Sequence, residues 1–183
     1  MLARSHGLAA LRALVGAKHE IALVTPRYEP GSVVERLDLL LFVKVGQTTT
    51  DLRIAEGNAE VTIREACRGA DLLVSVNWRH KVPSDILALP KYGGVNLHRG
   101  RLPEYAGARP VERAIAAGET LAYLTAHHMT DVIDGGPVLV EAAVTCRSGP
   151  DAVQATIDAM EPYVGPLLME ALAMIEKEAH ADR

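Results

Sequence analysis

The order of apolar and polar positions along the chain predicts alternating helices and strands. Leu8, Leu11 and Leu14 recur at helical spacing and predict a first helix over about 7–17. The run Ile21-Ala22-Leu23-Val24 predicts a strand over 20–25, ending at Pro26 and the loop Tyr28-Glu29-Pro30-Gly31. The apolar run from Leu37 to Val45 suits a buried strand or a helix end, and periodicity does not choose between them. A helix over about 58–68 closes at Gly69, and Asp71 to Val76 reads as a parallel strand buried on both faces. Pro83-Ser84-Asp85 starts a short helix, Gly94 to His98 is a strand, and Pro110 to Gly118 is a helix with proline in its first position. Leu121 to His127 and Pro137 to Val144 read as paired strands around the turn Asp134-Gly135-Gly136. The closing helical pattern, from 150 to about 179, contains Pro162 and Pro166, which are expected to break or kink it.

Strands alternating with helices imply an α/β fold, a mainly parallel sheet flanked by helices, with ligands beyond the strand carboxyl ends. The sequence has no repeat or long polar linker, and its 183 residues predict a single domain over 1–183. Hydrophobic residues at 49% and charged residues at 23% match an ordinary globular chain, long enough to bury a core without a disulfide or metal staple. No stretch approaches the roughly 18 apolar residues of a membrane span, so no membrane partner is expected. A net charge of −4 and only 4% aromatic residues argue against a nucleic-acid partner. Cys67 and Cys146 stand alone, which fits a reducing compartment and a cytoplasmic location. Arg4, Arg12 and Lys18, with no acid among the first 18 residues, imitate a transit peptide; the leucine spacing favours an integral helix instead.

Three elements carry chemistry. Asn96 and His98 fall on the same side of an extended strand, because side chains repeat there with period two. The loop Leu102-Pro103-Glu104-Tyr105-Ala106-Gly107 follows, and Asp134-Gly135-Gly136-Pro137 comes 36 residues beyond His98. Each has an ordinary structural reading by itself: a satisfied core histidine, a surface turn and a hairpin turn. In this order, with a helix and a strand between them, they resemble the folate-dependent formyltransferase family, strongly over Ala70 to Val144 and loosely elsewhere. That family includes glycinamide ribonucleotide, methionyl-tRNA and sugar N-formyltransferases. Thr130 to Pro137 looks most like the first branch and Gly107-Ala108-Arg109-Pro110 more like the other two.

The resemblance implies a Rossmann-like catalytic domain and a catalytic trio on Asn96, His98 and Asp134. A formyl group would pass from 10-formyltetrahydrofolate, the co-substrate, to an acceptor amine through a tetrahedral intermediate bearing an oxyanion. An amide donor and a protonated imidazole suit that charge, each well-placed donor being worth about 2.7–4 kcal/mol. A carboxylate would orient and charge the imidazole, and no metal is required. The folate pocket falls by the same resemblance on Trp78, Arg79, His80, Lys81 and Val82, and on Thr130 to Asp134, with Trp78, His80, Val82, Thr130, Asp131 and Ile133 as its contacts. For His80 and Lys81 a solvated loop is the plain alternative. Of His127 and His128, one is expected to face the core or the site and the other solvent.

Two departures qualify the likeness. Gly100-Arg101-Leu102-Pro103 stands where the family commonly has Ser-Leu-Leu-Pro, in a region crowded by Arg99, Arg101, Arg109 and Arg113. A solvated basic loop is the plain reading; an acidic or phosphorylated acceptor is the sharper one, and it puts Arg101, Tyr105 and Arg109 on the substrate. Residues 1–7 also keep something like the family's opening turn but not its central first strand. The Leu37–Val45 run or a partner chain would then have to supply that strand's pairing, unless the chain is truncated or its start misassigned. The expected function is formyl transfer to a small amine acceptor, phosphorylated or nucleotide-linked amines included. Formyltetrahydrofolate hydrolysis and a catalytically impaired folate-binding or scaffold homologue are the alternatives, and a homo-oligomer is left open.

Overall fold

The computed structural model describes residues 6–25, 39–44, 52–56, 60–76, 78 and 81–181. In chain order these form α1 (His6–Gly16), β1 (Glu20–Thr25), β2 (Leu39–Lys44), β3 (Leu52–Glu56), α2 (Glu60–Cys67) and β4 (Leu72–Val76). There follow α3 (Ser84–Leu87), β5 (Gly94–His98), α4 (Pro110–Ala116), β6 (Leu121–His128), β7 (Val138–Thr145) and α5 (Ala152–Ala181). The loop Tyr28 to Gly31 and the turn expected at the chain start before His6 lie outside the described residues.

The seven strands make one sheet in the order β3-β1-β2-β4-β5-β6-β7. The α/β architecture matches expectation, but the sheet is mixed rather than mainly parallel. Only β1 with β3 and β4 with β5 pair in parallel; the other four neighbouring pairs are antiparallel. Short connections explain part of this, because parallel neighbours need a crossover of a dozen or more residues and the nine-residue link from β6 to β7 (129–137) permits only a hairpin. Two more antiparallel pairs come from β2, which makes the described part of the ambiguous Leu37–Val45 run, Leu39–Lys44, a strand. β2 lies between β1 and β4 and opposes both, pairing Leu39 with Val76 and Leu41 with Val74. It supplies the pairing that β4 would otherwise lack. β3 is an edge strand that the apolar pattern did not suggest.

β4 is buried along its whole length, and its alternate side chains enter different cores. Leu72, Val74 and Val76 join Val95, Leu97, Leu124 and Ala126 against α1 and α5. Leu73 faces the opposite layer, with Ile63, Cys67, Val82 and Ile86 around α2 and α3. The same alternation sends Val95 and Leu97 of β5 into the α1–α5 core, leaving Asn96 and His98 on the other face. α5 runs uninterrupted through Pro162 and Pro166, so the expected break does not occur. A helix-interior proline costs about 3 kcal/mol or more. Burial of Val164, Leu167, Leu168, Ala171 and Leu172 offsets that cost along this one helix. Gly165 lets α1 come close: a Cβ there would lie 3.2 Å from Ala13 Cβ.

Candidate active site

β5 and β6 pair antiparallel with Asn96 opposite His127 and His98 opposite Thr125. Four polar side chains therefore stand on one face of the sheet, toward the carboxyl end of β5. The link from β6 to β7 brings Asp134 over them. Its path is fixed locally: Thr130 Oγ1 donates to the Val132 carbonyl at 3.1 Å and the Gly135 N–H donates to the same carbonyl at 3.2 Å. Asp134 sits at φ 52°, in the left-handed region that Asp and Asn tolerate better than other non-glycine residues. Gly136 admits no other residue, because a Cβ there would lie 1.9 Å from the His128 carbonyl oxygen.

The Asp134 carboxylate, 9% exposed, is the hub. Oδ2 accepts the Gly107 N–H at 2.8 Å and faces His98 Nδ1 at 3.3 Å. Oδ1 accepts from Asn96 Nδ2 at 3.2 Å and lies 3.5 Å from His127 Nε2. Burial alone would raise this carboxyl, but the groups around it, the Gly107 N–H among them, hold it below the usual carboxylate range. His98 donates from Nε2 to the Tyr105 carbonyl at 2.8 Å, which fixes its tautomer while the ring is neutral. Burial pulls its imidazole below the ordinary value, against the upward pull of Asp134 and the Tyr105 carbonyl. Two acceptors, the Tyr105 carbonyl and the Asp134 carboxylate, thus flank the two ring nitrogens of His98.

Asp134 contacts both Asn96 and His98, the other two positions expected from sequence. A family model described as Formyl transferase matches residues 41–162. The chain belongs to the formyl transferase family. Among its relatives, the methionyl-tRNA formyltransferase of Dechloromonas aromatica is 30% identical over 175 residues, 91% of this chain and 55% of that protein. The protein of the same name from Ruegeria pomeroyi is 34% identical over 176 residues, 90% of this chain and 56% of its own. The chain spans about half the length of the curated relatives it matches. Among solved structures, glycinamide ribonucleotide transformylase 1 from Geobacillus kaustophilus shares the fold with a TM-score of 0.65 at 18% identity, over 93% of this chain and 92% of that one.

A cleft opens beside Asn96 and Asp134; His98 does not line it. Trp78, Val82, Met129, Val132 and Ile133 supply apolar lining, while Ser75, Lys81, Asn96, His127, Thr130 and Asp134 supply polar groups. Of the expected folate contacts, Trp78, Val82, Thr130 and Ile133 therefore line the cleft. Asp131 is exposed and does not line it, and Arg79 and His80 lie outside the described residues. The expected acceptor contacts stand outside the cleft. Arg101 is exposed over the Tyr123 ring, 5.2 Å from its centre. The Tyr105 hydroxyl donates to Glu119 at 2.9 Å, and exposed Arg109 pairs with Glu112. Yet their shared loop touches the trio through the Tyr105 carbonyl and the Gly107 N–H.

His127 and Ser75 were not singled out from sequence as site residues. His127 is 2% exposed and shares the cleft with Asn96, whereas His128 is half-buried and pairs with Glu178 at 3.3 Å. The expected division between the two histidines is what the fold delivers. The signal that assigns the site to His127 is cross-strand: it needs the register opposite Asn96, and Ser75 likewise pairs with Asn96 from β4. Among the described residues, no group of three or more His, Cys, Asp or Glu is arranged to hold a metal, and no helix is long and apolar enough to cross a membrane.

Proposed function

We propose that this chain transfers a formyl group from 10-formyltetrahydrofolate to an acceptor amine at Asn96, His98 and Asp134. The observation that carries this reading is that Asp134 contacts both Asn96 and His98, while Asn96 and Asp134 line a cleft with apolar walls. The cleft's chemistry fits a reduced folate. A pterin is flat and polar at its edge; Trp78, Val82 and Met129 offer apolar walls, and Ser75 and Thr130 offer edge partners. Val132 and Ile133 are 61% and 64% exposed beside the trio, apolar surface that a flat ligand would cover.

The co-substrate supplies the formyl carbon; the chain supplies the charge handling. Asn96 Nδ2 is the amide donor nearest the carboxylate, and it can stabilise negative charge arriving on a carbonyl oxygen. Neutral His98 holds its proton on Nε2 and leaves Nδ1 free to take another, 3.3 Å from Asp134 Oδ2. A proton lost by the attacking amine is stabilised there as a charge-assisted pair. Trp78, Val82, Thr130 and Ile133 are assigned to the folate side, and the 99–109 loop with Arg101, Tyr105 and Arg109 to the acceptor side.

The acceptor is an amine of a small molecule or of a charged tRNA. The expectation against a nucleic-acid partner rested mainly on net charge, and relatives named for methionyl-tRNA weigh against it. The test is incubation with 10-formyltetrahydrofolate and a panel of amino sugars, amino nucleotides, amino acids and methionyl-tRNA. Tetrahydrofolate with an N-formyl product supports the reading, while tetrahydrofolate with free formate moves the assignment to hydrolysis. Folate binding without turnover identifies a non-catalytic homologue. In the active case, Arg101→Ala and Arg109→Ala should raise the acceptor KM and leave the donor KM unchanged.

A further inference from the structure

We propose that His127 is a positioning residue, which turns the Asn96 amide by presenting an unprotonated Nε2 to it. Nδ1 of His127 lies 2.8 Å from the His128 carbonyl oxygen, a group that can only accept, so Nδ1 carries the proton. In the neutral ring Nε2 is then an acceptor, and it lies 3.1 Å from Asn96 Nδ2. Asn96 has two amide hydrogens. One goes to His127 Nε2 and the other to Asp134 Oδ1 at 3.2 Å, so both are placed. The opposite amide orientation would set Asn96 Oδ1 against the carboxylate oxygen and the imidazole lone pair, three acceptors together. The neutral ring keeps the Nδ2 end of Asn96 turned toward His127 and Asp134, and an incoming oxyanion would take the hydrogen that Asp134 Oδ1 accepts at rest.

A proton on His127 Nε2 reverses this. The ring nitrogen becomes a donor aimed at Asp134 Oδ1, 3.5 Å away, and Asn96 loses one of its two acceptors. Asp134 from the 129–137 link and His98 from β5, its ring centre 6.5 Å away, face the imidazole, and Lys81 lines the same cleft. His127 acts through Asn96 rather than on the substrate. Its catalytic consequence rests on the formyl-transfer reading; its tautomer does not.

Imidazole nitrogen NMR on the full chain at neutral pH tests the tautomer without any turnover. The expected pattern is Nδ1–H for His127 and Nε2–H for His98, opposite tautomers on adjacent strands. An Nε2–H or doubly protonated His127 overturns the inference. For the catalytic consequence, His127→Leu should lower kcat about tenfold or more while the formyl-donor KM stays within about twofold. His127→Gln, whose side-chain oxygen can accept from Asn96, should recover most of that loss. Full kcat in the leucine variant, or equal losses in both, overturns the positioning role. If the unsubstituted chain formylates no amine, the formyl-transfer reading fails, and the NMR result still decides the tautomer.

Discussion

Oδ2 of Asp134 lies 3.3 Å from Nδ1 of His98 and accepts the Gly107 N–H at 2.8 Å. One oxygen thus ties a β5 side chain to the 99–109 loop. The ionised carboxylate faces the only ring nitrogen of His98 not committed to a carbonyl, so the pair can hold one additional proton. Asp134→Asn removes the charge at little conformational cost, because Asn also tolerates the left-handed φ of 52°. Turnover should fall by about 10² to 10⁴ with the thermal midpoint nearly unchanged, measured by steady-state kinetics and calorimetry. Retained turnover would remove Asp134 from the mechanism.

Gly100 stands where the family commonly has Ser, and its surroundings admit only glycine. A Cβ there would lie 2.6 Å from Pro110 Cβ, 2.9 Å from His98 Nε2 and 2.9 Å from the Tyr105 carbonyl oxygen. The last two atoms form the hydrogen bond that fixes the His98 tautomer. Gly100→Ala is therefore expected to cost about 1–3 kcal/mol in urea unfolding, as overpacking does. It should also lower kcat beyond what the lost folded fraction explains. Unaltered kcat and stability would mean the loop yields without disturbing His98.

His6 offers a test of the fold away from the site. It is 3% exposed and donates from Nε2 to the Ile157 carbonyl at 3.0 Å, and burial pushes its imidazole down from 6.5 to about 4. A depressed histidine leaves the unfolded chain to take the proton first as pH falls. Its contribution is full above 6.5 and is lost between 6.5 and about 4. Between pH 7 and pH 5 this amounts to about 2 kcal/mol of lost stability. His6→Gln keeps a donor for the Ile157 carbonyl and should flatten that part of the pH dependence in denaturant unfolding. An identical pH slope in the variant would show that His6 is not buried in its neutral form.

Local pattern made most elements legible. The leucine spacing marks α1, the uniform apolar run marks β4, and Asp-Gly-Gly marks the link between β6 and β7. Strand direction was not legible, because an apolar run such as Leu39–Val43 suits a buried strand of either sense. β3 escaped notice because Leu52 to Glu56 is short and polar in part. The uninterrupted α5 defied Pro162 and Pro166 because tertiary burial, invisible in local sequence, outweighs helix propensity. At the site, period two placed Asn96 and His98 together, and ordered motifs added Asp134. His127 needed the register between β5 and β6, which no single strand encodes.

The most direct test of the central claim is a single-turnover measurement with saturating 10-formyltetrahydrofolate, comparing the unsubstituted chain with Asn96→Ala. The expected result is one N-formyl amine formed per tetrahydrofolate, with the rate lowered about 10² to 10³ in the variant and donor affinity little changed. Equal rates in the two proteins, or tetrahydrofolate released with no formylated amine, would contradict it.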